Sequence, residues 1–234
     1  MNGLCRKSTG SKSAMLLVVC LVSFAVALVS AHTMAVPPHV FAPQPTKYLG
    51  RWVYLTYWSN VTGVVYYSAS LLDTSGKWRQ PLLDLFPLMF AVGCFLTLAY
   101  YGLDHFNEEA MRQKERCRSE YPFVHLASHL EHGHALPLVL LHAFALDVSG
   151  LQVPESYLST SAVLYILCYI LCYLLTIHLN RICTGSWTYS VIDDVTHAYG
   201  NAGRFGFFVA LATAFVVFGV VGLHFVARAA QQQG

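Results

Sequence analysis

Long apolar stretches alternate with short polar segments along the whole chain. Six of these stretches approach or exceed the roughly 20 residues that a helix needs to cross the hydrocarbon core of a bilayer. They cover residues 14–31, 52–72, 81–103, 123–147, 161–180 and 205–227. Because a membrane interior offers no water to the backbone, spanning segments satisfy their peptide groups as helices. The pattern predicts an all-α fold, a polytopic membrane helix bundle with about six transmembrane helices in a single domain over residues 1–234.

The first apolar stretch has two interpretations. Basic residues, among them Arg6 and Lys7, precede it, and small residues end it at Ala31, which is also the pattern of a secretory signal. Its apolar core is nevertheless long enough for a spanning helix. We favour a retained first helix of the bundle.

Composition agrees with a membrane protein and excludes one class of partner. Hydrophobic residues make up 56% of the chain and charged residues only 11%, which is typical of membrane proteins. The formal net charge is +2, and no basic tract with interleaved aromatic residues occurs, so nucleic acid is excluded as a partner. The seven cysteines show no zinc-type spacing and do not indicate a disulfide framework.

The fourth apolar stretch begins with a cluster of histidines, in the sequence "FVHLASHLEHGHALP". On an ideal helix His125, His129 and His132 fall within an arc of about 60°, whereas His134 points to the opposite side. Ionisable groups at membrane depth are costly and normally mark a site or a pathway. The cluster therefore predicts a functional site on one face of this segment.

Three explanations of the cluster remain open from the residues alone. The histidines could ligate a metal or haem, with a partner such as His178 or His224 on another helix, although no second histidine box exists. They could be structural, in a non-catalytic regulator or scaffold. One of them could instead act as general base for a hydroxyl on a neighbouring helix. The hydroxyl candidates at membrane depth are Thr56, Ser59, Ser68, Ser70, Thr97 and Thr176.

Three local patterns, in order, are similar to those of one known family. They are "GRWVYLTYW" at residues 50–58, "HLEHGHALP" at residues 129–137 and "TGSWTYSVID" at residues 184–193. Together they resemble the androgen-induced protein 1 and ADTRP family of integral-membrane proteins, from the first helix to about Phe225. The resemblance implies a membrane hydrolase that cleaves fatty acid esters of hydroxy fatty acids with a threonine nucleophile and a histidine.

The resemblance also implies roles for individual residues. The family threonine corresponds to Thr56 in "WVYLTY", and the catalytic histidine, the second of an HxxH pair, corresponds to His132. The first histidine of the pair is His129, expected either to fix the tautomer of His132 or to bind the free carboxylate of the substrate. Neither cofactor nor metal is expected. The substrate is a lipid in the bilayer, and the expected location is the endoplasmic reticulum or the plasma membrane.

Two residues near these motifs differ from familiar members of that family. Val53 stands where those members carry lysine, and His142 stands where they carry an acidic residue. Both positions concern substrate contacts and local electrostatics rather than the reaction type.

Overall fold

The computed structural model describes residues 6–35, 37, 47–146, 148 and 160–233. Its helices are α1 (Arg6–Thr33), α2 (Leu55–Leu72), α3 (Arg79–Ala99), α4 (Glu108–Cys117), α5 (Val124–His132), α6 (Ala135–Phe144), α7 (Thr160–Thr184) and α8 (Ser190–Gln233). A 3₁₀ turn at Gly50–Val53 precedes α2, and a π-helical turn at Tyr100–His105 extends α3. No strand occurs in the described ranges. The prediction of an all-α membrane helix bundle is confirmed.

Four helices in the described part of the chain are long and apolar enough to cross a membrane. They cover Ser13–Thr33, Arg79–Leu103, Thr160–Thr184 and Ser190–Gln232. Helix α2 and the pair α5 and α6 occupy the two other predicted stretches. The chain is thus a multi-pass membrane protein, and its last helix changes direction at Gly200, a residue with a positive φ of 64°.

The apolar stretch at residues 123–147 contains two helices rather than one. Helix α5 ends at His132 and α6 begins at Ala135. Pro137 accounts for part of this interruption, because it has no N–H to bond the carbonyl of Gly133 and its ring crowds that carbonyl. Gly133 and His134 both keep right-handed helical dihedral angles, so the interruption lies in the hydrogen-bond ladder rather than in the handedness of the backbone.

Helix α3 forms the centre of the bundle and contacts α2, α6, α7 and α8. Its side chains contribute to two apolar clusters. One cluster, with α1, α2 and α6, includes Phe24, Tyr67 and Phe86. The other, with α7 and α8, includes Val92 and Phe215. These two clusters fix α2 and α3 relative to the segment that carries the histidines.

Helix α1 is packed into the described core. Phe24 is fully buried, and it lies so close to α2 that a Cβ at Gly63 would overlap its ring. Exposed apolar residues of the same helix, among them Val18, Val22, Val26 and Val29, lie on the outer surface of the bundle, where lipid would cover them. That the first apolar stretch is retained stays a prediction.

Candidate active site

Thr56 and His132 meet although 76 positions separate them in the sequence. Thr56 lies in the first turn of α2, and His132 is the last residue of α5. The Thr56 Oγ1 atom is 3.0 Å from the Nε2 atom of His132. Both residues are partly buried, so the hydroxyl and the imidazole form a hydrogen bond that is largely removed from solvent.

The tautomer of His132 follows from its second ring nitrogen. The Nδ1 atom lies 2.7 Å from the backbone carbonyl of Ser128, one turn earlier in α5. A carbonyl only accepts hydrogen bonds, so Nδ1 must carry the proton and donate it. In the neutral ring Nε2 then holds a lone pair and accepts the hydrogen bond from the hydroxyl of Thr56. This is the polarity that a general base requires.

The ring plane of His132 is fixed by an aromatic neighbour. Tyr100 stacks on it with the ring centroids 4.4 Å apart and the planes at 15°. Tyr100 is buried and is the first residue of the π-helical turn that extends α3. Such turns shift side chains out of regular helical register. Here the turn lies beside the imidazole.

His129 lies on the side of α5 that faces the π-helical turn. Its Nδ1 atom is 3.1 Å from the hydroxyl oxygen of Tyr101, and its ring is 4.9 Å from the ring of His105. Tyr100 stands edge-on to it at 5.8 Å. Tyr100 thus lies against the rings of both His129 and His132, and the contact that sets the tautomer of His132 comes from the Ser128 carbonyl.

The two other histidines of the cluster lie apart from this contact. His125 is 3.3 Å from the carboxylate of Glu115 on α4, and hydrogen bonds with Arg118 and His125 hold the pKa of Glu115 below its ordinary value. His134 packs edge-on against Phe24 of α1, with centroids 4.6 Å apart. The predicted opposite direction of His134 agrees with the structure, whereas His125 does not share the site.

The first turn of α2 is anchored by two tyrosines of other segments. The backbone N–H of Leu55 donates to the hydroxyl oxygen of Tyr189 at 3.0 Å. Tyr173 of α7 donates to the carbonyl of Val53 at 3.0 Å, and its hydroxyl lies 3.2 Å from that of Tyr189. The "TGSWTYSVID" pattern thus contributes a side chain that holds the backbone next to Thr56.

Several other hydroxyl candidates bond elsewhere. Ser70 and Thr176 each donate to the carbonyl one turn earlier, at 2.9 Å in both cases, which is the ordinary behaviour of such residues in membrane helices. Ser59 lies 3.4 Å from the hydroxyl of Tyr169. Thr97 donates to the backbone of His132 rather than to its ring.

An arginine precedes the helix that carries Thr56. Arg51, in the 3₁₀ turn before α2, is partly buried. Burial lowers the pKa of its guanidinium, and the carboxylate of Glu131 acts in the opposite direction. Arginine stays charged at neutral pH, so a cation lies close to the segment that carries Thr56.

One of the two possible metal or haem partners, His178, has other contacts. The ring of His178 packs against Trp187 and Phe208, with centroids 5.1 and 5.2 Å away. In the described part of the chain, no three His, Cys, Asp or Glu side chains are grouped in a way that could hold a metal ion.

Ser128 and Tyr100 were not predicted as parts of this site. Ser128 stands four positions before His132, a spacing at which a helix brings its carbonyl under the imidazole, so the sequence contained that signal. Tyr100 reaches the ring from another helix, and no spacing along the chain indicates such a contact.

The fold and this contact define a class: a multi-pass membrane protein with a hydroxyl paired to an oriented imidazole. The family model described as FAR-17a/AIG1-like protein matches residues 12–227. The chain therefore belongs to the FAR-17a/AIG1-like family, and the predicted resemblance is confirmed. No match was found among the curated proteins or among the solved structures.

Proposed function

We propose that the protein is an integral-membrane lipid ester hydrolase that cleaves fatty acid esters of hydroxy fatty acids. Thr56 is the nucleophile and His132 the general base. The observation that carries the proposal is the 3.0 Å contact from Thr56 Oγ1 to His132 Nε2, together with the Ser128 carbonyl that leaves this nitrogen free of a proton. The expected host membrane is the endoplasmic reticulum or the plasma membrane.

The reaction proceeds by acyl transfer in two halves. As Thr56 Oγ1 attacks the ester carbonyl, the hydroxyl proton passes to His132 Nε2. The tetrahedral intermediate collapses and His132 gives the proton to the departing oxygen. The hydroxy fatty acid is released, and the acyl group stays bound to Thr56 as an acyl-threonine. Water then attacks the acyl group while His132 takes its proton. The fatty acid departs and the proton returns to Thr56 Oγ1.

The location of the pair suits a lipid substrate. The ester partitions into the bilayer, and a nucleophile carried by a helix of the bundle meets it there without extraction into water. Partial burial of the pair also strengthens the electrostatic interactions that guide proton transfer, because the local dielectric constant is low.

A fluorophosphonate probe tests for an activated hydroxyl. The membrane-expressed parent, Thr56→Ala and His132→Ala are compared with Thr176→Ala, a matched control whose hydroxyl bonds its own helix. We expect labelling of the parent and the control, and a loss of about 10³-fold or more in the other two variants, because a nucleophile and its base act as a unit. Hydrolysis of a fatty acid ester of a hydroxy fatty acid should fall in parallel.

Two outcomes would contradict the proposal. Parent-level labelling of Thr56→Ala would remove the nucleophile assignment. A folded parent that neither labels nor hydrolyses the ester would favour a non-catalytic regulator or scaffold. An absorption spectrum of the same sample would then test for a haem or metal redox protein.

A further inference from the structure

The gap between α5 and α6 is filled by a hydroxyl of another helix. Thr97 of α3 donates from Oγ1 to the carbonyl of His132 at 2.7 Å and accepts from the N–H of Leu136 at 3.2 Å. In an uninterrupted α-helix these two backbone groups would bond each other, because they are four residues apart. The hydroxyl of Thr97 is therefore inserted into the ladder at the residue that carries the base.

A second side chain bonds the preceding carbonyl. Asn60 of α2 donates from Nδ2 to the carbonyl of Glu131 at 3.1 Å. Asn60 and Thr97 are both buried. The carbonyls of the last two residues of α5, which a helix end leaves without helical partners, are thus both bonded by neighbouring helices.

We propose that Thr97 and Asn60 are positioning residues that hold the backbone of His132 within reach of Thr56. This inference rests on the proposed hydrolase function. It assigns to the two side chains a role in the rate of acyl transfer, in addition to their contribution to packing.

The distribution of these contacts between helices supports the assignment. Helix α2 carries both Thr56 and, one turn later on the same face, Asn60, so the bond from Asn60 to α5 also sets the distance from Thr56 to the imidazole. Helix α3 carries Thr97, which holds the backbone of His132, and continues into the π-helical turn whose first residue, Tyr100, stacks on its ring. Each of the two helices thus fixes the base by two contacts.

The side chain of Asn60 also destabilises the fold in one respect, so packing alone does not explain its presence. Its Oδ1 atom is buried without a hydrogen-bond partner, and a buried unpaired acceptor is destabilising. A leucine of similar size would avoid that cost, and the freed carbonyl of Glu131 could accept the N–H of Ala135 as in a regular helix. The amide is therefore better explained by what it holds in place.

Removal of the Thr97 hydroxyl should restore the regular ladder. In Thr97→Val the carbonyl of His132 and the N–H of Leu136 are free to bond each other, so the protein can fold while α5 and α6 join and the imidazole moves. A displacement of about 1 Å costs about 10²-fold in rate. Because the substrate contacts are untouched, the loss should fall on kcat and leave KM close to the parent value.

The experiment measures kcat and KM for ester hydrolysis in detergent, with thermal unfolding in parallel. We compare the parent, Thr97→Val, Thr97→Ser, Asn60→Leu and the control Thr176→Val. We expect Thr97→Val and Asn60→Leu to lose about 10²-fold in kcat at unchanged KM. Thr97→Ser, which keeps the hydroxyl, should return to within a few-fold of the parent, and the control should be unchanged.

The inference is overturned if Thr97→Val keeps the parent kcat, or if Thr97→Ser is as slow as a folded Thr97→Val, since the hydroxyl would then be irrelevant. If Thr97→Val does not fold, Asn60→Leu decides: a lower kcat supports the inference and a parent kcat overturns it. A parent that fails to hydrolyse the ester removes the proposed function and this inference with it. An active parent with unaffected variants removes this inference alone.

Discussion

The imidazole of His132 contacts chemically different groups, among them the hydroxyl of Thr56, the carbonyl of Ser128 and the ring of Tyr100. In hydrolases with a carboxylate behind the histidine, the carboxylate both sets the tautomer and stabilises the imidazolium that forms. A backbone carbonyl performs the first task and contributes only a partial charge to the second. The Ser128 carbonyl therefore orients the ring of His132 but would stabilise an imidazolium less than a carboxylate at the same position would.

Of the two expected roles of His129, the contacts of His132 favour the second, which stays a prediction. Because Ser128 fixes the tautomer of His132, binding of the free carboxylate of the substrate remains. We expect His129→Gln to raise KM for the free-acid ester by about tenfold, the scale of one hydrogen bond to a charged group. The kcat should change little, and the methyl ester of the same substrate should be unaffected.

His134→Ala is the matched control for that measurement, because its ring faces Phe24 of α1 and not the site. It should keep the parent KM for both substrates and lower thermal stability only. A drop in kcat with unchanged KM in His129→Gln would instead indicate that the residue acts on His132 through Tyr100.

At the scale of helices, the contact between α1 and α2 depends on one small residue. A Cβ at Gly63 would overlap the ring of the fully buried Phe24. Gly63→Val should therefore lower the free energy of unfolding by about 1–3 kcal/mol, the usual cost of overpacking. Thermal unfolding in detergent measures this loss. Gly206→Val, where no heavy atom lies within 4 Å of the added Cβ, is the control, and an equal loss in both variants would contradict the packing argument.

The helices themselves could be predicted because lipid imposes long apolar segments, and this requirement is visible along the sequence. The interruption after His132 was not predicted, although Pro137 is present in the sequence, because a proline in a membrane helix often only bends the helix. Its other cause, the Thr97 hydroxyl, comes from a distant segment. Hydrophobic periodicity describes one helix at a time and contains no information about such contacts.

The candidate site likewise combines features that the sequence indicates with contacts that only the packed helices show. The pairing of Thr56 with His132 was expected from family resemblance, not from spacing, because the two residues are on different helices. The Ser128 carbonyl was available from the sequence through its four-residue spacing to His132. Tyr100, Asn60 and Tyr189 each contact a residue of another segment. Their roles could therefore be recognised only once the packing of the helices was known.

For the molecule as a whole, the site depends on helices from both ends of the chain. Helix α1 packs on α2 and α5, which carry Thr56 and His132, and Tyr189, just before α8, anchors the first turn of α2. The hydroxyl of Tyr57, next to Thr56, also lies 3.2 Å from the ring of His32 at the end of α1. The geometry of the pair is therefore a property of the complete bundle.

This dependence leads to a prediction about the first apolar stretch. If it were removed as a secretory signal after Ala31, the buried ring of Phe24 and its contacts with α2 would be lost. The intact mass of the purified protein should therefore include residues 14–31. A chain that starts at His32 should give little folded protein and no fluorophosphonate labelling, whereas addition of residues 1–31 as a separate peptide should restore part of both. A mature mass that begins after Ala31 in active protein would overturn the retained helix and require another account of how α2 is held.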